Sequence, residues 1–265
     1  MNSSSQTQAA PTPWLVRRKP SAEPRIRLFC FPHAGSGSLP YFKWPELLPR
    51  DIDVCAVQLP GRENRRQEPA LSNLQPLTAK LVEVLTPYLQ GEFAFFGHSF
   101  GALLSFELIR EFRRRGLPLP RVLFASGAKA PSRHGMMPRW SELSREDFVR
   151  EISARQGAVP RQLLAEPELL DLIIPTLRAD LKVMEDYVYR EEPPLPVRLC
   201  VFGGTEDTEV PAATLEPWRA ETREAFTLRM FPGGHLFINE VTEQVLQAIR
   251  HELTLDAAPP QPPTP

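Results

Sequence analysis

Six short apolar runs, IRLFCF, DVCAV, FAFFG, VLFASG, VRLCVFGG and FTLRMFP, constrain this chain more than any other feature. Each is of strand length, and continuous rather than alternating apolarity predicts strands buried on both faces. Stretches with helical spacing separate most of them: Leu74, Leu77, Leu81, Val84, Leu85 and Tyr88 mark one helix, Leu104, Leu108 and Phe112 a second, and Val241, Val245 and Ile249 a third. Strand and helix in alternation predict an α/β fold with a mostly parallel central sheet flanked by helices. One interval breaks the rhythm. Between VLFASG and VRLCVFGG lie about 70 residues without a good strand, carrying an S-x-x-D cap signal at Ser144 to Asp147 and the apolar run LLDLIIPTL. An interval of that length reads as a helical insertion, at about residues 132–194, of the kind that forms lids.

The expected domain spans residues 25–255. Residues 1–24, rich in Ser, Gln and Pro, and the Pro-rich tail 256–265 are expected to be disordered. Composition narrows the partners. A formal charge of -1 gives no basic surface for a phosphate backbone, which argues against nucleic acid. The N-terminus has no charged n-region with an apolar h-region, and no stretch reaches the length of a membrane span, so no membrane partner is expected. Cys30, Cys55 and Cys200 each sit inside an apolar run, which predicts small buried thiols and a reducing, cytoplasmic setting.

FAFFGHSFGALLSFELI places one serine, Ser99, between Gly97 and Gly101 where a strand pattern turns into a helical one. A lone G-x-S-x-G is modest support, but this context is the strand-to-helix turn of a nucleophile elbow. There the glycines have a steric reason: a tight turn brings backbone close on both sides of the serine. Arg113 to Arg115 and Gly116 close the helix, so its N-terminus points at Ser99. A serine hydroxyl needs a base and a group to orient that base, and chains with this elbow supply them in the order Ser, acid, His. Asp207 lies just beyond the strand RLCVFGG, with Glu206 as the rival acid, and His235 lies in the loop PGGHLFINE before the last helix. Of the remaining histidines, His251 falls in a helical pattern and His134 in a loop, while His33 and His98 read as packing or hydrogen-bonding residues. Oxyanion donors are expected from the backbone N–H groups of Ala34, in the loop CFPHAGSGS, and of Phe100.

FCFPHAGSGS, LPGRENR, FFGHSFGA, PTLRADLKVMEDY, FGGTED and PGGHLFI, in that order over about residues 27–252, resemble the type II thioesterases of nonribosomal peptide and polyketide synthesis and the stand-alone thioesterase of fatty acid synthesis. The resemblance implies an α/β-hydrolase fold with a helical lid and a catalytic triad of Ser99, Asp207 and His235. It implies a substrate held on the phosphopantetheine arm of an acyl or peptidyl carrier protein, no metal or other cofactor, and a role in clearing stalled or mis-loaded synthases. Departures fall beside the reacting groups: Phe100 stands where Met is common, Ser36 and Gly37 replace a glycine pair, and Thr205 and Thr208 occupy positions often held by Asp and Pro. A product-releasing thioesterase, an acyl-CoA hydrolase or an esterase of the same fold are the rival activities, and a non-catalytic binding module of this fold the rival class. Carriers of this kind are acidic, so Arg62, Arg65 and Arg66 are docking candidates, with pairing to Glu63 and Glu68 as the competing use. A monomer is expected.

Overall fold

The computed structural model describes residues 10–154 and 166–255. Its strands are β1 (Leu15–Val16), β2 (Ile26–Phe31), β3 (Ile52–Val57), β4 (Glu92–His98), β5 (Val122–Ser126), β6 (Arg198–Gly204) and β7 (Phe226–Phe231). The helices used below are α1 (Trp44–Leu47), α2 (Leu74–Leu85), α3 (Phe100–Arg114), α4 (Arg145–Ala154), α5 (Pro167–Glu185), α6 (Phe237–Glu240) and α7 (Thr242–Thr254).

One sheet has the order β1-β3-β2-β4-β5-β6-β7, with β1 antiparallel to β3 and every other pairing parallel. Parallel neighbours require crossovers, and helices supply them, which covers both faces. Alternate residues of each strand therefore enter different cores. Phe29, Phe31, Phe93, Phe95 and Leu123 pack with Leu77, Leu81 and Leu85 of α2 and Leu104, Leu108 and Phe112 of α3. Leu28, Cys30, Ala94, Phe96 and Phe124 pack on the opposite face with Trp44 of α1 and Val245, Leu246 and Ile249 of α7. All three cysteines are buried free thiols. FTLRMF departs from the expected burial on both faces: β7 has a single neighbour, and only Phe231 of it is buried. Among the described residues no helix is long and apolar enough to cross a membrane.

The expectation of disorder across residues 1–24 is corrected from residue 10 onward. Leu15 and Val16 pair with Val57 and Ala56, Trp14 is buried, and the Gln58 N–H donates to the Trp14 carbonyl at 2.8 Å. One cause is a carboxylate. Asp53 is fully buried in β3, and the Arg17 guanidinium reaches it at 2.5 Å with Arg27 at 3.9 Å, so the segment supplies the nearer of two charges that face this buried Asp. Residues 1–9 and the tail 256–265 lie outside the described residues.

The insertion between β5 and β6 carries α4 and α5. Ser144 caps α4, accepting from the Asp147 N–H at 3.1 Å while its hydroxyl donates to the Asp147 carboxylate at 2.8 Å. Phe148, Ile152, Leu170, Ile174 and Leu177 form a small core of their own. Leu169 and Leu172, on the other side of the run LLDLIIPTL, remain exposed.

Candidate active site

Ser99 sits between the last residue of β4 and the first of α3, with φ 53° and ψ -115°. Such a backbone is strained for any side-chain-bearing residue and places the hydroxyl outside the ladder of the sheet. A Cβ built on Gly97 would lie 2.2 Å from the Gly101 carbonyl oxygen, and one on Gly101 would lie 2.2 Å from the Phe31 carbonyl oxygen. Both glycines are therefore steric requirements of the turn, as the sequence pattern predicts. The Ser99 N–H donates to Ser126 O at 2.7 Å, which holds the elbow to β5.

Three side chains meet there. His235 Nε2 is 3.0 Å from Ser99 Oγ, and His235 Nδ1 is 2.8 Å from Asp207 Oδ2. Asp207 Oδ1 accepts from the backbone N–H groups of Glu209 at 2.9 Å and Val210 at 3.0 Å, so the carboxylate is fixed from behind by its own loop. With Asp207 able only to accept when ionised, the proton of a neutral His235 lies on Nδ1 and Nε2 presents a lone pair to Ser99. Glu206, the rival acid, is exposed.

His98 lies directly beneath. A carbonyl only accepts, so His98 Nε2–H donates to His235 O at 2.8 Å and Nδ1 accepts from the Ser126 hydroxyl at 2.9 Å. Burial, reinforced by the neighbouring His235 and His33, pushes His98 well below the usual imidazole pKa. It is a neutral strut between β4, β5 and the His235 loop. His33 is pushed down to about 4, first by burial and then by His235 and Arg62. Its Nδ1 has no partner among the described residues.

The loop after β2 forms a turn in which the Ser36 N–H donates to His33 O at 3.1 Å and Gly35 takes φ +73°. Ala34 is inside this turn, and Phe100 is the first residue of α3, where a helix leaves its N–H groups without intrahelical partners. A cavity of about 470 Å³ opens over Ser99 and His235, walled by His33, Ala34 and Leu103 and, from the insertion, by Met136, Trp140, Ile152, Leu177 and Met184. Its lining is mixed, with thioether, aromatic and aliphatic groups facing the reacting side chains.

Two docking candidates are corrected. Arg62 is buried and pairs with Asp180 of α5 at 2.7 Å, while Arg65 is buried over the Trp14 ring and pairs with Glu68. Both guanidiniums face inward, where backbone carbonyls, half-buried Ser36 O for Arg62 and buried Gln58 O for Arg65, accept from them. Arg66 alone of the three is exposed. Asp180 falls within the segment PTLRADLKVMEDY, whose sequence alone gives it no role. The available signal was a carboxylate three residues after Leu177, on the buried stripe of an amphipathic helix.

Residues 26–253 match the model of the Thioesterase domain family. The gramicidin S biosynthesis protein GrsT of Aneurinibacillus migulanus is 37% identical over 246 residues, covering 93% of this chain and 96% of that protein. The thioesterase PikA5 of Streptomyces venezuelae is 34% identical over 259 residues, covering 95% and 91%. The solved structure of the type II thioesterase BorB from the borrelidin biosynthetic cluster superposes with a TM-score of 0.83 at 33% identity, covering 91% of this chain and 97% of that one.

Proposed function

The chain belongs to the Thioesterase domain family, and from that premise we propose that it hydrolyses acyl or aminoacyl thioesters carried on the phosphopantetheine arm of carrier proteins. The observation that carries the chemistry is the hydrogen-bonded line from Ser99 Oγ through His235 to Asp207 at the floor of a cavity. His235 Nε2 takes the Ser99 proton as Oγ attacks the thioester carbonyl, and Asp207 orients the imidazole and stabilises its charged form. The N–H groups of Ala34 and Phe100 receive the developing oxyanion. As the C–S bond breaks, the imidazolium returns its proton to the leaving thiol. Water, deprotonated by the same imidazole, then adds to the acyl-enzyme carbonyl, and the imidazolium returns that proton to Ser99 Oγ as the acid leaves. Every step is a proton transfer, an addition to carbonyl carbon or an elimination from the tetrahedral intermediate, so the reaction calls for no metal or organic cofactor.

The biological reading, clearance of stalled or mis-loaded acyl groups from a nonribosomal peptide or polyketide synthase, is supported by relatives whose names tie them to gramicidin S and borrelidin biosynthesis. A monomer in a reducing, cytoplasmic setting, with its three thiols buried, completes this reading. The deciding experiment compares one acyl group presented on a carrier protein, on a short pantetheine thiol and as an oxygen ester. The carrier substrate is expected to show kcat/KM at least about tenfold above the short thiol, with the margin shrinking as salt rises. Equal rates on carrier and short thiol would transfer the assignment to a free-thioester hydrolase. Preference for the oxygen ester would make the protein an esterase.

A further inference from the structure

The loop proposed to supply the Ala34 oxyanion donor is a short turn with glycines at positions 35 and 37, and no regular element of the sheet holds it. What holds it comes from the insertion and from the loop after β3. Asp180 of α5 is fully buried, and its Oδ2 accepts from the Gly35 N–H at 2.8 Å. The same carboxylate takes both arms of the Arg62 guanidinium, Nη1 at 2.7 Å and Nη2 at 3.0 Å, while Arg62 Nη1 also donates to Ser36 O at 2.9 Å. One carboxylate and one guanidinium thus bind the Ala34–Gly35 and Ser36–Gly37 peptide groups, which flank the Gly35–Ser36 pair just after Ala34. Leu177, one turn earlier on α5, lies so close that a Cβ on Gly35 would be 3.1 Å from its own Cβ. Bidentate pairing fixes direction as well as distance.

We propose that Asp180 is a positioning residue for the oxyanion hole, so that the insertion completes the catalytic machinery. Arg62 keeps its second arm in place. The side chain touches no substrate; it acts by setting the Ala34–Gly35 backbone. On this account α5 must stay docked during turnover, because moving it away would withdraw the acceptor from Gly35 and let the turn relax. The inference rests on the assignment of Ser99 as nucleophile and Ala34 N–H as donor.

The test is Asp180→Asn, which keeps the size of the side chain and removes its charge against Arg62. With a short-thiol substrate, kcat is expected to fall about 100-fold, the scale of a misplaced oxyanion donor, while KM stays within about threefold. A trifluoromethyl ketone analogue, whose adduct with Ser99 carries an oxyanion, should lose affinity in parallel with kcat/KM. In a Ser99→Ala background the same Asp180 change should leave binding of the intact thioester unaltered. A thermal melt establishes that each variant is folded; should Asp180→Asn fail that criterion, Asp180→Asn/Arg62→Gln, with no stranded charge, is assayed identically. Folded protein with kcat within about threefold of the parent overturns the proposal, as does a loss that falls equally on ground-state binding. Turnover surviving in Ser99→Ala would instead remove the site assignment, and this inference with it.

Discussion

Replacing Ser99 by glycine should leave a more stable protein than replacing it by alanine, while both changes abolish turnover. At φ 53° and ψ -115° the residue sits where a Cβ collides with the neighbouring backbone. Glycine sees the mirror image of an ordinary extended conformation and is not strained there. Such strain costs about 1–3 kcal/mol. Against it stands the greater freedom of glycine in the unfolded chain, about 0.4–1 kcal/mol. Both variants lose the same hydroxyl bond to His235, so their difference isolates the Cβ. Ser99→Gly should exceed Ser99→Ala by about 1.3 kcal/mol at the centre of these ranges, or roughly 3 to 5 °C in Tm for a chain of this size. Ser105, in the interior of α3, is the internal control: there glycine should be less stable than alanine by about 0.5–1 kcal/mol, reversing the sign. Denaturant titration of the four variants reads the free-energy differences, and thermal melts read the shift in Tm. If Ser99→Gly proves no more stable than Ser99→Ala, the elbow stores no strain and the steric argument for it fails.

Asp207→Asn should lower kcat/KM by about 10⁴ by disturbing the imidazole tautomer, whereas Glu206→Gln should change it less than about twofold; steady-state assays of both decide which acid serves His235. His33 is pushed down to about 4 in the folded protein from an ordinary value of 6.5, so the unfolded chain binds a proton there that the folded one refuses. Stability from this source is full above about pH 6.5 and is lost as pH falls towards 4, amounting to about 3 kcal/mol, and His33→Gln should flatten the denaturation-versus-pH curve over that window. Exposed Arg66, reversed in Arg66→Glu, should cost about threefold in kcat/KM on an acidic acyl carrier at low salt and nothing on a short thiol. Treatment with EDTA should leave hydrolysis unchanged, and loss of activity that zinc restores would contradict the metal-free steps.

The sheet was legible because burial on two faces leaves a plain mark: each of the six apolar runs contains or overlaps a strand. Edges are harder. The two-residue strand at Leu15 carries no periodicity, and the contacts that hold it, among them Arg17 on the buried Asp53, come from far along the chain. The same physics hid Arg62, whereas the pairing of Arg65 with Glu68, three residues on, was already open from the sequence. A guanidinium in a polar stretch such as GRENR is typical of a solvated surface, and only the fold brings Asp180 and backbone carbonyls within reach of it. Local pattern reports apolar burial well and paired-charge burial hardly at all, since the compensating partner is remote in sequence.

The order Ser99, Asp207, His235 was readable because all three follow strands of one parallel sheet, whose C-terminal ends lie along one edge. Their meeting was not readable from that alone. β4 and β7 are three strands apart in the order β4-β5-β6-β7, a separation of about 14 Å at the usual strand spacing. An imidazole spans less than half of that, so the loop after β7 has to fold back across the end of β6. Gly204 permits the return: a Cβ there would lie 2.6 Å from the carbonyl oxygens of both Gly233 and Gly234. Phe237 of α6 stacks on Phe231 and meets the His98 ring edge-on, closing the far side of the loop. His98, donating to the His235 carbonyl, then sets how far the loop travels. His98→Phe should therefore retain the fold of β4 yet lengthen the Ser99 to His235 contact, lowering kcat on a short thiol by about tenfold or more with KM little changed. Full activity in that variant would mean that the glycine-lined return alone holds the histidine in reach.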